Sequence, residues 1–147
     1  MASIKFSMIG FEQFRLSLEN LPSKVSKRVL RKALRAGAKP IAAAAKNLAP
    51  SKSGALRSSI KVRSGKRSRR GMSIIVGLGA DWYKGDQFYA AFVEFGYRVG
   101  SRKLGDARRE VEGQHFMKRA ADNSTAAATS AAIKVMSDQI AIEAKRN

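Results

Sequence analysis

From Ser23 to about Ala49 the apolar residues return every three or four positions, through Val25, Val29, Leu30, Ala33, Leu34, Gly37, Ile41, Ala44, Ala45 and Leu48. That is the period of one helix face, and it predicts a long helix over this stretch. Lys24, Lys27, Arg28, Arg31, Lys32 and Arg35 fill the other faces of its first half. The second half, KPIAAAAKNLA, is nearly all alanine, so another element has to pack very close to it. Pro40 sits inside the pattern, where a proline costs about 3 kcal/mol and bends the helix. A kink near residues 36–40, or two helices meeting there, is therefore expected, with Gly37 relieving the crowding.

A second long helical stretch runs from Gln114 to Lys145. Its middle, DNSTAAATSAAIKVM, is small and polar, and its end carries Ile133, Met136, Ile140 and Ala144 on one face. Ala126, Ala127, Ala131 and Ala132 would let it lie against the alanine-rich half of the first helix.

Shorter elements fill the remainder. Ile4, Phe6 and Met8 alternate with polar residues as in a short half-buried strand. Phe11, Phe14, Leu18 and Leu21 are spaced as one face of a short helix, which Leu21-Pro22-Ser23 closes. After Ala49-Pro50 comes PSKSGALRSSI, read as a turn and one helical turn with Leu56 and Ile60 as its apolar contacts. Ile60 to Arg63 and Met72 to Leu78 read as two strands of a hairpin. Its tip, Ser64 to Gly71, is basic and has no apolar residue. Asp81 to Gln87 reads as a loop, and Tyr97 to Gly113 as an irregular arm that orders on assembly. The fold class expected is α+β: one domain over residues 1–147, with a small antiparallel sheet packed against two long helices, an extended arm at 97–113 and a basic hairpin tip at 64–71.

Charge is the outlying feature of the composition. Twenty-nine Lys and Arg stand against 11 Asp and Glu, a formal net charge of +18. Such an excess points to an anionic partner, whether nucleic acid, an acidic protein face or a membrane surface, or to a crowded assembly that covers it with acidic neighbours. The chain has no cysteine, which excludes disulfide frameworks, thiolate metal sites and cysteine nucleophiles together. No stretch approaches the roughly 20 apolar residues of a spanning helix, and the N-terminus lacks the apolar run of a signal peptide. A soluble protein made in the cytosol, without a membrane partner, is expected.

The segment Phe88 to Gly100, FYAAFVEFGYRVG, sets one carboxylate, Glu94, among aromatics. An unpaired buried carboxylate is costly, so Glu94 has to be paired or functional, and pairing with an arginine of this chain or a neighbour is the expectation. A short helix ending at Gly96 is preferred here over a strand. One histidine, no cysteine and few acids leave little for catalysis. His115 has no partner set with metal-like spacing, and Glu94 has no second carboxylate near it in sequence. No enzyme activity, no metal and no cofactor are expected. The spacing in GLGAD leads into no helix of dinucleotide-binding pattern.

Several blocks together carry a resemblance: AKPIAAAAKNLAP, then SGALRSSI, a strand ending in VGLG, YAAFVEFG, and HFMKRAAD opening the final helix. From about Leu21 to Asn123 the chain resembles the tail-component family of siphophage neck and tail-completion proteins, with lambda-type minor tail protein Z among the relatives. Its most specific parts are Ala49-Pro50 followed by Ser53-Gly54-Ala55-Leu56-Arg57, then Val93-Glu94-Phe95-Gly96, and Phe116 with Ala120. The chain departs from the family pattern after Glu-Phe-Gly. Tyr97 stands in place of Thr, a charged arm replaces a Pro-rich approach, and His115-Phe116 replaces Pro-Phe.

The resemblance implies a virion structural protein at the junction of head and tail. It would complete the tail's upper end so that the filled capsid can join, as a homo-oligomeric ring of sixfold or twelvefold symmetry beside other neck and tail proteins. Tyr89, Phe92, Glu94, Phe95, Tyr97, Arg98, Arg102, His115 and Phe116 are the candidate interface residues. Lys66, Arg67, Arg69 and Arg70 are candidates for contact with DNA in the channel or with an acidic partner. The alternative function is a basic DNA-binding protein acting through the 64–71 hairpin.

Overall fold

The computed structural model describes residues 16, 18–50, 54–65, 71–79, 89–100 and 109–145. The expected strand at 3–8, most of the helix at 11–21, the tip residues 66–70, the loop at 81–87 and the middle of the arm, 101–108, lie outside the described residues. Within them the elements run α1 (Ser23–Leu48), α2 (Ala55–Ser59), β1 (Ile60–Ser64), β2 (Ile74–Leu78), α3 (Ala90–Phe95), β3 (Gly96–Val99), β4 (Arg109–Glu112) and α4 (Phe116–Ala144).

Helix α1 starts directly after Pro22, whose ring fixes its own φ and whose carbonyl receives the Val25 and Ser26 amides at 2.8 and 3.0 Å. The Ser26 hydroxyl donates to the Leu18 carbonyl at 2.7 Å and fastens the incoming chain. The helix stops at Leu48 because Ala49 precedes a proline and takes an extended conformation. The Arg57 side chain then donates to the Ala49 carbonyl at 3.0 Å, so a cation meets the end of the helix where the dipole favours it.

Of the two arrangements expected near residues 36–40, the meeting of two helices does not occur: α1 is one helix of 26 residues running through Pro40. Packing explains why. Gly37 and Ala38 on one side of Pro40, and Ile41 and Ala42 on the other, are all buried, and burial on both sides outweighs the local cost of the proline.

Helices α1 and α4 pack antiparallel along their length. Arg28 pairs with Glu143, and Lys32 donates to the Gln139 side-chain oxygen at 2.6 Å. Further along, Val29 and Ala33 enclose Met136. Gly37 lies on Ala128 and Ala132, where a Cβ would come within 2.9 Å of the Ala128 carbonyl oxygen. Ile41 then meets Ala121 and Ala128 under Val76, and Ala45 meets Phe116 and Ala120. The close approach predicted from the alanines is real, but the α4 face that makes it is Ala120, Ala121, Ser124, Ala128 and Ala132. Of the alanines expected there Ala132 is buried, whereas Ala126 and Ala127 are exposed. A uniform alanine-rich run gives a helical period little amplitude from which to fix its phase.

Where one small antiparallel sheet was expected, the described strands form two antiparallel hairpins. In the first, β1 pairs β2 from Ile60↔Leu78 to Ser64↔Ile74, and its inner face closes over the alanine-rich half of α1 through Ile60, Val76 and Leu78. In the second, β3 pairs β4 from Gly96↔Glu112 to Val99↔Arg109. The arm at 97–113, read as irregular, is thus a paired hairpin at both of its ends. Phe116 closes the larger core cluster with Leu56, Ile60 and Ala90 and is 2 % exposed.

Candidate functional site

The segment from Tyr89 to Val99 inverts the usual order of burial. Along α3, Ala90 and Glu94 lie four residues apart on the inward face and are buried. Phe92 and Phe95 project outward, 45 and 58 % exposed. A carboxylate inside and two phenyl rings outside is the reverse of what transfer free energies favour, so a local cause is needed for each.

The cause for Glu94 is the start of α4. His115, the residue before that helix, has φ 48° and makes no side-chain cap. The sequence Gln114-His115 offers none of the usual capping side chains, so the first amides of a 29-residue helix need acceptors from elsewhere. Glu94 supplies them. Its carboxylate oxygens accept from the Met117 amide at 2.9 Å and the Lys118 amide at 3.3 Å. The Val93 carbonyl accepts from the Gln114 amide at 2.7 Å, and the Glu94 carbonyl from the His115 amide at 3.2 Å. The end of α3 and the start of α4 therefore satisfy one another, and a full negative charge sits where the helix dipole favours it. Among the described residues the partners that Glu94 finds are these amides, where an arginine of this chain or a neighbour was expected.

Two glycines make the junction possible. Gly96, at φ 78°, lies against the Val111 carbonyl, and Gly113 lies against the Glu94 carbonyl. A side chain at either position would strike backbone. Their close contact brings β4 alongside β3 and so aims the hairpin.

The hairpin has two unlike faces. Arg98 and Glu110 are directly opposed and pair at 3.7 Å, both largely exposed, which contributes little stability. The other face carries Tyr97 across from Val111, and Val99 across from Arg109. Tyr97 and Val99 are 45 and 49 % exposed. The Tyr97 ring meets Phe92 edge-on, with centroids 5.6 Å apart at 68°. Phe92 and Tyr97 touch, Val99 follows on the Tyr97 face of β3, and Phe95 is exposed at the end of α3 between them in sequence.

The candidate interface residues divide accordingly. Phe92, Phe95, Tyr97 and Arg98 are on the surface, and His115 is exposed at the start of α4. Tyr89 is half-buried against the larger core cluster. Glu94 and Phe116 are internal, at 6 and 2 % exposure, and reach the surface only by positioning it. Arg102, Lys66, Arg67, Arg69 and Arg70 lie outside the described residues. Val99 and Val111 were not singled out from sequence, although the alternation Tyr97-Arg98-Val99 carried the signal. Among the described residues no group of three or more His, Asp or Glu side chains could hold a metal ion, and no helix is long and apolar enough to cross a membrane.

A family model described as "Bacteriophage HK97-gp10, putative tail-component" matches residues 12–96, more than half of the 147-residue chain. The chain belongs to this HK97-gp10-like family. The matched region holds α1, the β1–β2 hairpin and α3, and it ends at Gly96, the first residue of β3. The β3–β4 hairpin and α4 lie beyond it. No curated protein and no solved structure matches the chain.

Proposed function

We propose that this HK97-gp10-like protein is a virion structural protein at the head–tail junction. It completes the upper end of the tail as a closed homo-oligomeric ring, sixfold or twelvefold, so that a filled capsid can join. The observation that carries the reading is the set of exposed apolar side chains Phe95, at the end of α3, and Tyr97 and Val99, on the two-stranded hairpin that the Glu94 junction holds out. An isolated two-stranded hairpin is marginal by itself and gains most from a neighbour that covers it. Covering three such side chains is worth several kcal/mol, at roughly 25 cal/mol per Å² of apolar surface. A ring needs a heterologous contact, one patch of a subunit on a different patch of the next, and an aromatic patch bordered by Arg98 suits that role. The other neck and tail proteins are further partners in this reading. No catalytic step and no cofactor enter it.

Phe95→Glu and Tyr97→Ala test it. Phe95→Glu changes an exposed side chain and should leave the unfolding temperature of the free protein as in the wild type, whereas Tyr97→Ala also removes the edge-on contact with Phe92 and should lower it by a few degrees. In a phage carrying either change, negative-stain microscopy of lysates should find full heads beside unjoined tails. Normal joined virions from both variants would overturn the reading. The alternative, a DNA-binding protein acting through the 64–71 hairpin, predicts normal particles from these variants and loss of DNA binding on neutralising Lys66, Arg67, Arg69 and Arg70.

A further inference from the structure

Helix α1 carries its own charge problem. Its 26 residues include no Asp or Glu. Lys24, Lys27, Arg31, Arg35 and Lys39 are all exposed. At 3.6 residues per turn they fall within an arc of about 120° and extend over about 22 Å of helix. Arg28, within the same arc, and Lys32, at its edge, turn instead toward Glu143 and Gln139 of α4. The stripe is bounded on one side by the interhelix contact, and toward its C-terminal end the buried Ala38 and Ala42 lie within the same arc, so its exposed surface is the five cationic side chains themselves.

Within α1 itself nothing favours this arrangement. Lys24 stands in the first turn, where the helix dipole disfavours a cation, and no acidic residue offsets it there. Lys27 and Arg31, Arg31 and Arg35, and Arg35 and Lys39 are like charges four residues apart, each pair mildly destabilising. The arc bears no apolar side chain larger than alanine. Protein interfaces draw their energy from buried aromatic and Arg anchors and are poor in lysine, whereas phosphate backbones are neutralised by Lys and Arg on an open surface.

We propose that this face of α1 is a duplex DNA contact, sequence-independent and made to phosphates. The surface is distinct from the 64–71 hairpin and from the aromatic patch, and the proposal does not depend on the head–tail reading.

The test uses the full chain and a fluorescent duplex of about 20 base pairs, two helical turns. Binding is titrated between about 0.05 and 0.2 M salt. Neutralising Lys24, Lys27, Arg31 and Arg35 to Gln removes four phosphate contacts. It should lower the slope of log affinity against log salt by roughly 3 to 4 and weaken binding at least about 100-fold at 0.1 M salt. The same variant should melt no lower than wild type, because the changes relieve repulsion. A parallel variant with Lys66, Arg67, Arg69 and Arg70 changed to Gln should keep most of the slope. Three outcomes would each overturn the proposal. The wild type binds no duplex at this salt, the α1 variant keeps the wild-type slope, or polyglutamate of equal charge displaces the protein as well as DNA does. The last would point to an acidic protein partner.

Discussion

Glu94 illustrates how one residue can join two elements. Removing its carboxylate leaves the part-buried Met117 and Lys118 amides without their acceptor and withdraws a charge from the start of α4. Glu94→Ala should therefore destabilise the protein by about 2–3 kcal/mol, read as a shift in urea midpoint with unchanged slope. Glu94→Gln keeps an acceptor oxygen and should cost about half as much. Equal losses in the two variants would mean that packing, and not hydrogen bonding, accounts for the site. The carboxylate's need for a partner was legible in the sequence. Its partner was not, because the donors it had to meet are backbone amides 23 and 24 residues away, which carry no residue-type signature.

At the scale of elements, the α1–α4 contact decides the sign of a familiar substitution. Gly→Ala inside a helix ordinarily stabilises by up to about 1 kcal/mol. At Gly37 the new Cβ would come within 2.9 Å of the Ala128 carbonyl and 3.2 Å of the Ala132 Cβ. Gly37→Ala should therefore destabilise by about 1–3 kcal/mol, measured by thermal or denaturant unfolding. A gain in stability would mean that the helices separate there without penalty. The long helices themselves were readable from the three-to-four residue recurrence in α1 and from the apolar end of α4. The second hairpin was not. Its strands are four residues each, largely exposed, and rich in charge, so neither hydrophobic alternation nor composition distinguished them from an arm.

Over the whole molecule, charge governs the long-range energetics. With a net charge of +18, the compact state is opposed by its own field. Moderate salt should stabilise the free protein: its Tm should rise by a few degrees between about 0.02 and 0.2 M NaCl as screening shortens that repulsion. A falling Tm over this range would show instead that attractive pairs dominate. The same salt should weaken any complex made through phosphate contacts, so stability and binding should respond to salt in opposite directions.

The sequence alone was enough for the α+β class, the two long helices, the first hairpin, the helical turn at Ala55–Ser59 and the short helix ending at Gly96. Each of these has a local cause: a repeating apolar period, a proline or glycine boundary, or a β-branched run. It was enough as well for the family, because the Val93-Glu94-Phe95-Gly96 and Ser53-Gly54-Ala55-Leu56-Arg57 blocks stand within the matched region. Only the tertiary structure decided the rest. It settled that α1 continues through Pro40, that α4 turns Ala128 rather than Ala127 inward, that Glu94 caps α4, and that Tyr97 and Val99 share an exposed face. These outcomes depend on contacts between residues far apart in the chain. There the free energy of packing and of satisfying backbone amides overrides local preference, and no local period or motif records it.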